Sequence, residues 1–504
     1  MTNTLFDALM ASHQGVSRDF LVLPDGARLS YDDIHLLSGR LANLLVAEGV
    51  RPGDRVAAQI EKSPEALALY LATVRAGGVF LPLNSAYTPA EIGYFIGDAE
   101  PALIVCDPTR EAGRDAFMAA GNGRLMTLGA DGRGSLMDAA ITHPERHTPV
   151  PRAGRDLAAI LYTSGTTGRS KGAMLSHDNL LSNARTLAEA WRFTSDDVLL
   201  HALPIFHTHG LFVASNVVML TGGAMIWLPK FDADTVIDVL PQATSMMGVP
   251  TFYTRLLDRA DFTRDLVRNM RLFTSGSAPL LAETHRAFEE RTGHRILERY
   301  GMTETSMNTS NPYEGERRAG TVGFALPGVE LKITGEDGAT LPQGQIGMIE
   351  VRGGNVFLGY WRMPEKTAEE LAADGWFKTG DLGMIDDDGY VVIVGRGKDL
   401  IISGGFNIYP KEVELLIDDM PGVLESAVIG VPHPDFGEGV VAIVVPAREA
   451  AAPQPQAIID ALSDRLARFK QPRKVLLVDT LPRNTMGKVQ KAALRARYEG
   501  LFKG

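Results

Sequence analysis

The chain has 504 residues, with 50 Lys and Arg against 61 Asp and Glu, a formal net charge of -11 and 45% hydrophobic residues. This ordinary globular composition excludes a disordered chain, a collagen and a coiled-coil rod, and the acidic balance argues against nucleic acid as a partner. The single cysteine, Cys106, rules out an intramolecular disulfide and fits a reducing, cytoplasmic compartment.

The first twenty residues lack a basic n-region and set Asp7 inside their apolar stretch, so no secretory signal is expected. Residues 64–76 place apolar side chains at helical spacing, and the short apolar run 79–81 follows Gly77-Gly78. Residues 102–106 and 156–162 read as buried strands. Short apolar runs between helices predict a largely parallel sheet covered on both faces. The apolar run 210–220 is too short to cross a bilayer and holds Ser215 and Asn216, so no membrane association is expected. From 329 to 394 short strands alternate with turns such as Asp386-Asp387-Asp388-Gly389. After Gly395 the pattern restarts: a helix over 410–420, strands over 425–431 and 439–445, a helix over 456–469 and a strand over 474–478. The expected architecture is α/β. A large N-terminal domain, 1–395, has parallel-rich α/β layers and a β-rich subdomain over 329–395. A small hinged α+β C-terminal domain covers 396–504.

The segment from Thr163 to Gly172 (TSGTTGRSKG) follows an apolar strand and combines hydroxyls, three glycines and Lys171. Glycines let successive N–H groups converge on an anion, hydroxyls add donors, and the lysine adds charge, so the natural ligand is a polyphosphate. Ser170 stands where a nucleotide-triphosphatase loop needs its second glycine, so that pattern fails. In Glu298-Arg299-Tyr300-Gly301-Met302-Thr303-Glu304, an aromatic, a hydroxyl and a carboxylate could stack a base, hold a phosphate and bind Mg²⁺. Asp381 in Lys378-Thr379-Gly380-Asp381 could accept ribose hydroxyls. Gly395-Arg396-Gly397-Lys398 lacks the third glycine of a dinucleotide fingerprint, since Leu400 holds that place. Lys488 sits alone in a turn-rich segment. His201, His207 and His209 lack the neighbouring Cys or carboxylate of a zinc site. Ser277 lacks the flanking glycines of a nucleophile elbow.

In this order, the segments YTSGTTGRSKG, PIFHTHG, SGSAPL, ERYGMTE, KTGD, GRGKDLIISGGFNIYP and PRNTMGK resemble the acyl-adenylate-forming superfamily of acyl-CoA synthetases, luciferases and peptide-synthetase adenylation domains. The resemblance implies that Thr163, Ser164, Gly165, Thr166, Thr167, Gly168 and Lys171 handle the β- and γ-phosphates of ATP. It puts Thr167 close to the metal, with Glu304 as Mg²⁺ ligand. Tyr300 is expected on the adenine, Thr303 on the α-phosphate, Asp381 and Arg396 on the ribose, and Glu298 among the nucleotide-site residues. Lys488 is expected to bridge carboxylate and α-phosphate, and His207 to gate the acyl group. Lys398 falls at the hinge position, with Gly404 and Gly405 in the loop that meets the coenzyme A thiol. The chemistry agrees: a carboxylate attacking a triphosphate needs its repulsion neutralised, which suits Mg²⁺ and a lysine.

Arg299 has no use in an acetate or fatty-acid enzyme, but a dicarboxylate needs a cation for its second charge. ERYGMTE, followed by MNTSN and RRAGTVGFALPGVEL, resembles malonyl-CoA synthetases, so malonate is the expected acid, with methylmalonate open. Arg299 is expected to grip the distal carboxylate, Ser277 and His207 to frame the pocket, and Arg255 to offer a second cation. An ion pair of Arg299 with Glu298 or Glu304 is the competing structural reading. Acylation of Lys488 by a protein acyltransferase, reversed by a deacylase, is expected to switch the enzyme off. The rival functions are a ligase for another short acid, an adenylation enzyme loading a separate carrier protein, since no carrier-like segment precedes Gly504, and a nucleotide-binding regulatory protein without catalysis.

Overall fold

The computed structural model describes residues 2–110, 115, 117–118, 124–163, 170–403, 406–447, 453–463, 465–484 and 487–502. The protein is a mixed α/β molecule with a large N-terminal domain built on parallel sheets and a small C-terminal domain.

The helix expected over 64–76 is Pro64–Arg75. Ser63 accepts a hydrogen bond from the amide of Ala66 at 3.1 Å, and Pro64 opens the first turn, where its missing N–H leaves no bond unmade. The helix packs among strands Arg55–Gln59, Val79–Pro82, Leu103–Cys106 and Leu157–Thr163, whose pairing is parallel. Lys171–Ser176 closes this sheet antiparallel to Leu157–Thr163, with Thr163 directly opposite Lys171. The phosphate-loop candidate therefore leaves and re-enters one sheet edge. Its residues Ser164, Gly165, Thr166, Thr167 and Gly168 lie outside the described residues.

A second sheet carries the segments expected to form the acyl site. Strands Val198–His201, Ala224–Trp227, Ser245–Gly248, Leu272–Ser275 and Leu297–Met302 run parallel, and Ser306–Ser310 turns back antiparallel. The apolar run near 210–220 is a π-helical turn, His209–Ser215, running into helix Asn216–Thr221, and it is almost wholly buried. No helix among the described residues is long and apolar enough to cross a membrane.

Strands Val329–Thr334, Gly347–Gly353, Phe377–Ile385 and Val391–Arg396 form an antiparallel sheet. The chain leaves it at Arg396, passes through the 3₁₀ turn Gly397–Asp399 and enters the last sheet at Ile401. That sheet pairs Val423–His433 with Gly437–Pro446 and has its own core, including Val413, Ile417, Val440, Ala442 and Leu462. The helix expected over 456–469 ends at Ser463. Leu466 and Phe469, which extended the periodicity, reach the same core from turns instead.

Candidate active site

A cavity of about 740 Å³ opens where the sheets and the C-terminal domain meet. One side brings Thr163, Lys171, Thr303, Glu304, Tyr360 and Glu370 together. The end expected to take the acyl group holds His207, Thr208, His209, Ser277 and Arg299. Arg396, Lys398, Asn484, Lys488 and Gln490 close it from the hinge and the C-terminal domain. This volume is in the usual range for a small-molecule site with few convergent polar groups.

The side carrying Lys171 and Glu304 is a connected network. Lys171 Nζ lies 3.1 Å and 3.2 Å from the two Glu370 carboxylate oxygens and 4.1 Å from the centre of the Tyr360 ring. The Tyr360 hydroxyl is 2.6 Å from Glu370 Oε2 and 3.1 Å from Glu304 Oε1. Thr163 Oγ1 donates to the same Glu304 oxygen at 3.4 Å. Burial pushes the Glu304 carboxyl up, against hydrogen bonds and the charges of Lys171 and Arg396. A buried carboxylate with weak hydroxyl donors and, among the described residues, no direct ion pair is suited to a divalent cation.

Asp381, expected at the ribose, is buried behind the cavity wall. Its carboxylate accepts from the Tyr300 hydroxyl at 2.5 Å and pairs with Arg396 Nε at 2.7 Å. Lys488 is exposed to the cavity but walled by protein, which pulls its amine down to about 8; Arg396 and Lys398 add to this and Asp381 opposes it.

Strand Leu297–Met302 gives only some of its residues to the cavity. Arg299, Gly301 and Met302 line it, with a register shift between Tyr300 and Gly301, while Glu298 and Tyr300 are not among the lining residues. Glu298, expected at the nucleotide, is therefore not part of the cavity wall. It accepts from the Leu280 amide at 3.3 Å, and burial pushes its carboxyl up to about 8. Tyr300 backs the site through Asp381. Arg255 is also absent from the cavity: on helix Pro250–Leu257 the apolar residues Tyr253 and Leu256 turn inward, and Arg255 turns to solvent.

Arg299 is 3% exposed. Its Nε and Nη2 have no hydrogen-bond partner, and among the described residues it has no ion pair, with Glu298, Glu304 or any other carboxylate. Burial alone pulls the guanidinium down to about 9. The neighbouring imidazoles are kept neutral: burial and the Arg299 charge bring His207 down to about 4 and His209 well below its usual range. His207 Nδ1 accepts from the His209 amide at 3.3 Å, and Ser277 Oγ sits 3.3 Å from His209 Nδ1. His201 turns away from this group. Its Nε2 bonds the Gly210 carbonyl at 2.9 Å and its Nδ1 faces Lys62 Nζ at 2.7 Å.

Tyr360, Glu370, Asn484 and Gln490 escaped the reading of the sequence. Tyr360 and Glu370 are far from Lys171 in the chain, and an isolated bridge between Ala173 and Tyr360 joins the segments. The hydroxyl and carboxylate in GYWRMPEKTAEE were the available signal. Gly404 and Gly405, expected near the thiol, lie outside the described residues.

Comparison with known proteins matches the AMP-binding enzyme profile over residues 10–361 and the AMP-binding enzyme C-terminal domain profile over 412–488. The crystal structure of ATP-bound MatB from Rhodopseudomonas palustris is 60% identical, covers 100% of both chains and superposes with a TM-score of 0.97. The apo structure of MatB from that organism, at the same identity and coverage, gives 0.86, so the conformation here is closer to the ATP-bound form. A malonate–CoA ligase from Arabidopsis thaliana is 36% identical over 486 residues, 90% of this chain and 79% of its own.

Proposed function

The chain belongs to the AMP-binding enzyme family, and from that premise we propose that it ligates malonate to CoA through malonyl-AMP. A malonate carboxylate oxygen bonds to the α-phosphorus of ATP while the bond to the β-phosphate breaks, releasing diphosphate. The CoA sulfur then bonds to the acyl carbon, AMP leaves with the electron pair, and the thiol proton passes to solvent. One observation carries the choice of acid: Arg299 is a buried guanidinium with unpaired Nε and Nη2 at the acyl end of the cavity. A diacid keeps one carboxylate after the other has reacted, and that charge complements the fork of N–H donors. The malonate–CoA ligase relative supports the same substrate. Methylmalonate competes, because one methyl is discriminated by only ~1–3 kcal/mol.

The remaining roles belong to the same proposal. Lys171 exchanges Glu370 for the β- and γ-phosphates. Thr303 serves the α-phosphate, Tyr300 flanks the adenine, and Asp381 with Arg396 holds the ribose. Glu304 is the residue suited to hold Mg²⁺, which when bound neutralises phosphate charge. Lys488 bridges the attacking carboxylate and the α-phosphate, and His207 stays neutral beside the acyl group. Lys398 is the pivot between 1–395 and 396–504. Acylation of Lys488 by a separate acyltransferase stops the first half-reaction by removing its charge, and a deacylase restores it. A cytoplasmic location, supported by the lone Cys106, completes the reading.

The test is AMP formation with malonate, methylmalonate, acetate and octanoate, for the wild type and Arg299→Ala. Removing one partner of a buried charge pair costs about 3–5 kcal/mol. The kcat/KM for malonate should therefore fall about 10²–10³-fold or more, with a far smaller change for acetate. Equal losses for both acids refute the distal-carboxylate role.

A further inference from the structure

We propose that Gly276 is a specificity-determining residue: its missing side chain leaves the slot in which the Arg299 guanidinium lies and from which it meets the acid. This inference rests on the malonate reading and extends it to a position that touches no substrate.

The sheet register sets the two residues beside each other. Leu272–Ser275 runs parallel to Leu297–Met302 with Ser275 opposite Glu298, so the next residue on each strand is Gly276 and Arg299. A Cβ built on Gly276 would stand 2.3 Å from Nη1, 2.4 Å from Cζ and 2.7 Å from Nε of Arg299. These are the three nearest atoms, and all belong to the guanidinium group. Such distances are far inside van der Waals contact, so a methyl group here and the guanidinium cannot share the space.

The backbone does not itself demand glycine. Gly276 is not among the residues with left-handed φ, whereas Ser277, the next residue, is, at φ 69°. Alanine is therefore conformationally acceptable at 276. At Gly301 and Gly210 the colliding atoms are backbone oxygens, of Ser306 at 1.8 Å and Pro204 at 2.1 Å. Those glycines serve the packing of main chain on main chain. Gly276 serves one functional side chain. Ser277, His207 and His209 line the same end of the cavity, and Tyr253 is near enough to influence the Arg299 charge. A Cβ at 276 therefore displaces the guanidinium from its present position, and its fork of donors with it.

The experiment compares the full-length wild type with Gly276→Ala, Arg299→Ala and the double variant. AMP formation is measured with malonate and acetate, together with KM for ATP and the melting temperature. Gly276→Ala should lower the malonate-to-acetate ratio of kcat/KM at least tenfold, with KM for ATP changed less than twofold. The double variant should lose no more of that ratio than Arg299→Ala alone, because the two changes remove the same interaction. If Gly276→Ala also lowers the melting temperature, adding Arg299→Ala should restore it, since the collision is with the guanidinium. A wild-type ratio in Gly276→Ala overturns the inference, as does a double variant as unstable as Gly276→Ala. A wild type that does not prefer malonate removes the substrate reading, and the inference with it, before any variant is compared.

Discussion

Lys488 shows how one residue's surroundings set the conditions of the reaction. Its amine is pulled down to about 8 by burial, then by Arg396 and Lys398, with Asp381 and Asp399 acting the other way. The proposed role needs the charged form. In the free enzyme that form is lost as pH rises through about 8. Since kcat/KM reports groups of the free enzyme, adenylation measured as kcat/KM for ATP should fall with rising pH past this value. A profile flat to pH 10 would contradict the role. Bound triphosphate adds negative charge, so kcat should hold to higher pH than kcat/KM. Lys171 and Glu304 are legible from the composition of their segments, whereas Arg299 and the isolated Lys488 are legible only through the family resemblance. The sequence did not disclose which way Glu298 and Arg255 point. Facing is decided by strand phase and helix phase against a core.

Among elements, the strand Val198–His201 and the turn after it hold the acyl wall in place. Lys62 is buried, with Nζ 2.7 Å from His201 Nδ1, 2.7 Å from the His201 carbonyl and 4.2 Å from the centre of the Trp227 ring. His201 Nε2 then donates to the Gly210 carbonyl, since a carbonyl can only accept, and this closes the loop that carries His207, Thr208 and His209. Lys62→Met should leave His201 Nδ1 without its donor, at a loss of about 1–3 kcal/mol, while the His201 carbonyl keeps the Leu228 amide at 3.1 Å. The denaturation midpoint reads the effect, and an unchanged midpoint would show that the lysine is not tying the loop. Nothing in the sequence pairs Lys62 with His201, which arrive from separate βα crossovers. The strands themselves were readable: short apolar runs bounded by turns gave Leu103–Cys106 and Leu157–Thr163 within a residue. The π-helical turn His209–Ser215 was not, because it differs from an α-helix in hydrogen bonding and not in side-chain pattern.

The whole molecule presents Lys488, Asn484 and Gln490 to the cavity that Lys171 and Glu304 line, and the chain as a whole superposes better on the ATP-bound homologue than on the apo one. This is the arrangement the proposed adenylation step needs. Lys488→Ala should abolish diphosphate release from ATP and malonate while leaving thioester formation from preformed malonyl-AMP largely intact. Equal loss of both steps would refute the assignment. If the small domain turns about the proposed pivot for the second step, the ion pairs around residues 396–399 restrict where it can do so. Arg396 is moored to Asp381 on the large domain at 2.7 Å, and Asp399 is moored to Arg495 on the small one at 2.8 Å. A rotation that preserves both moorings must be taken up by the main-chain torsions between them. Under the proposed hinge, the small domain would swing on a two-residue swivel, Gly397 and Lys398, its sweep set by bond geometry and not by a flexible tether.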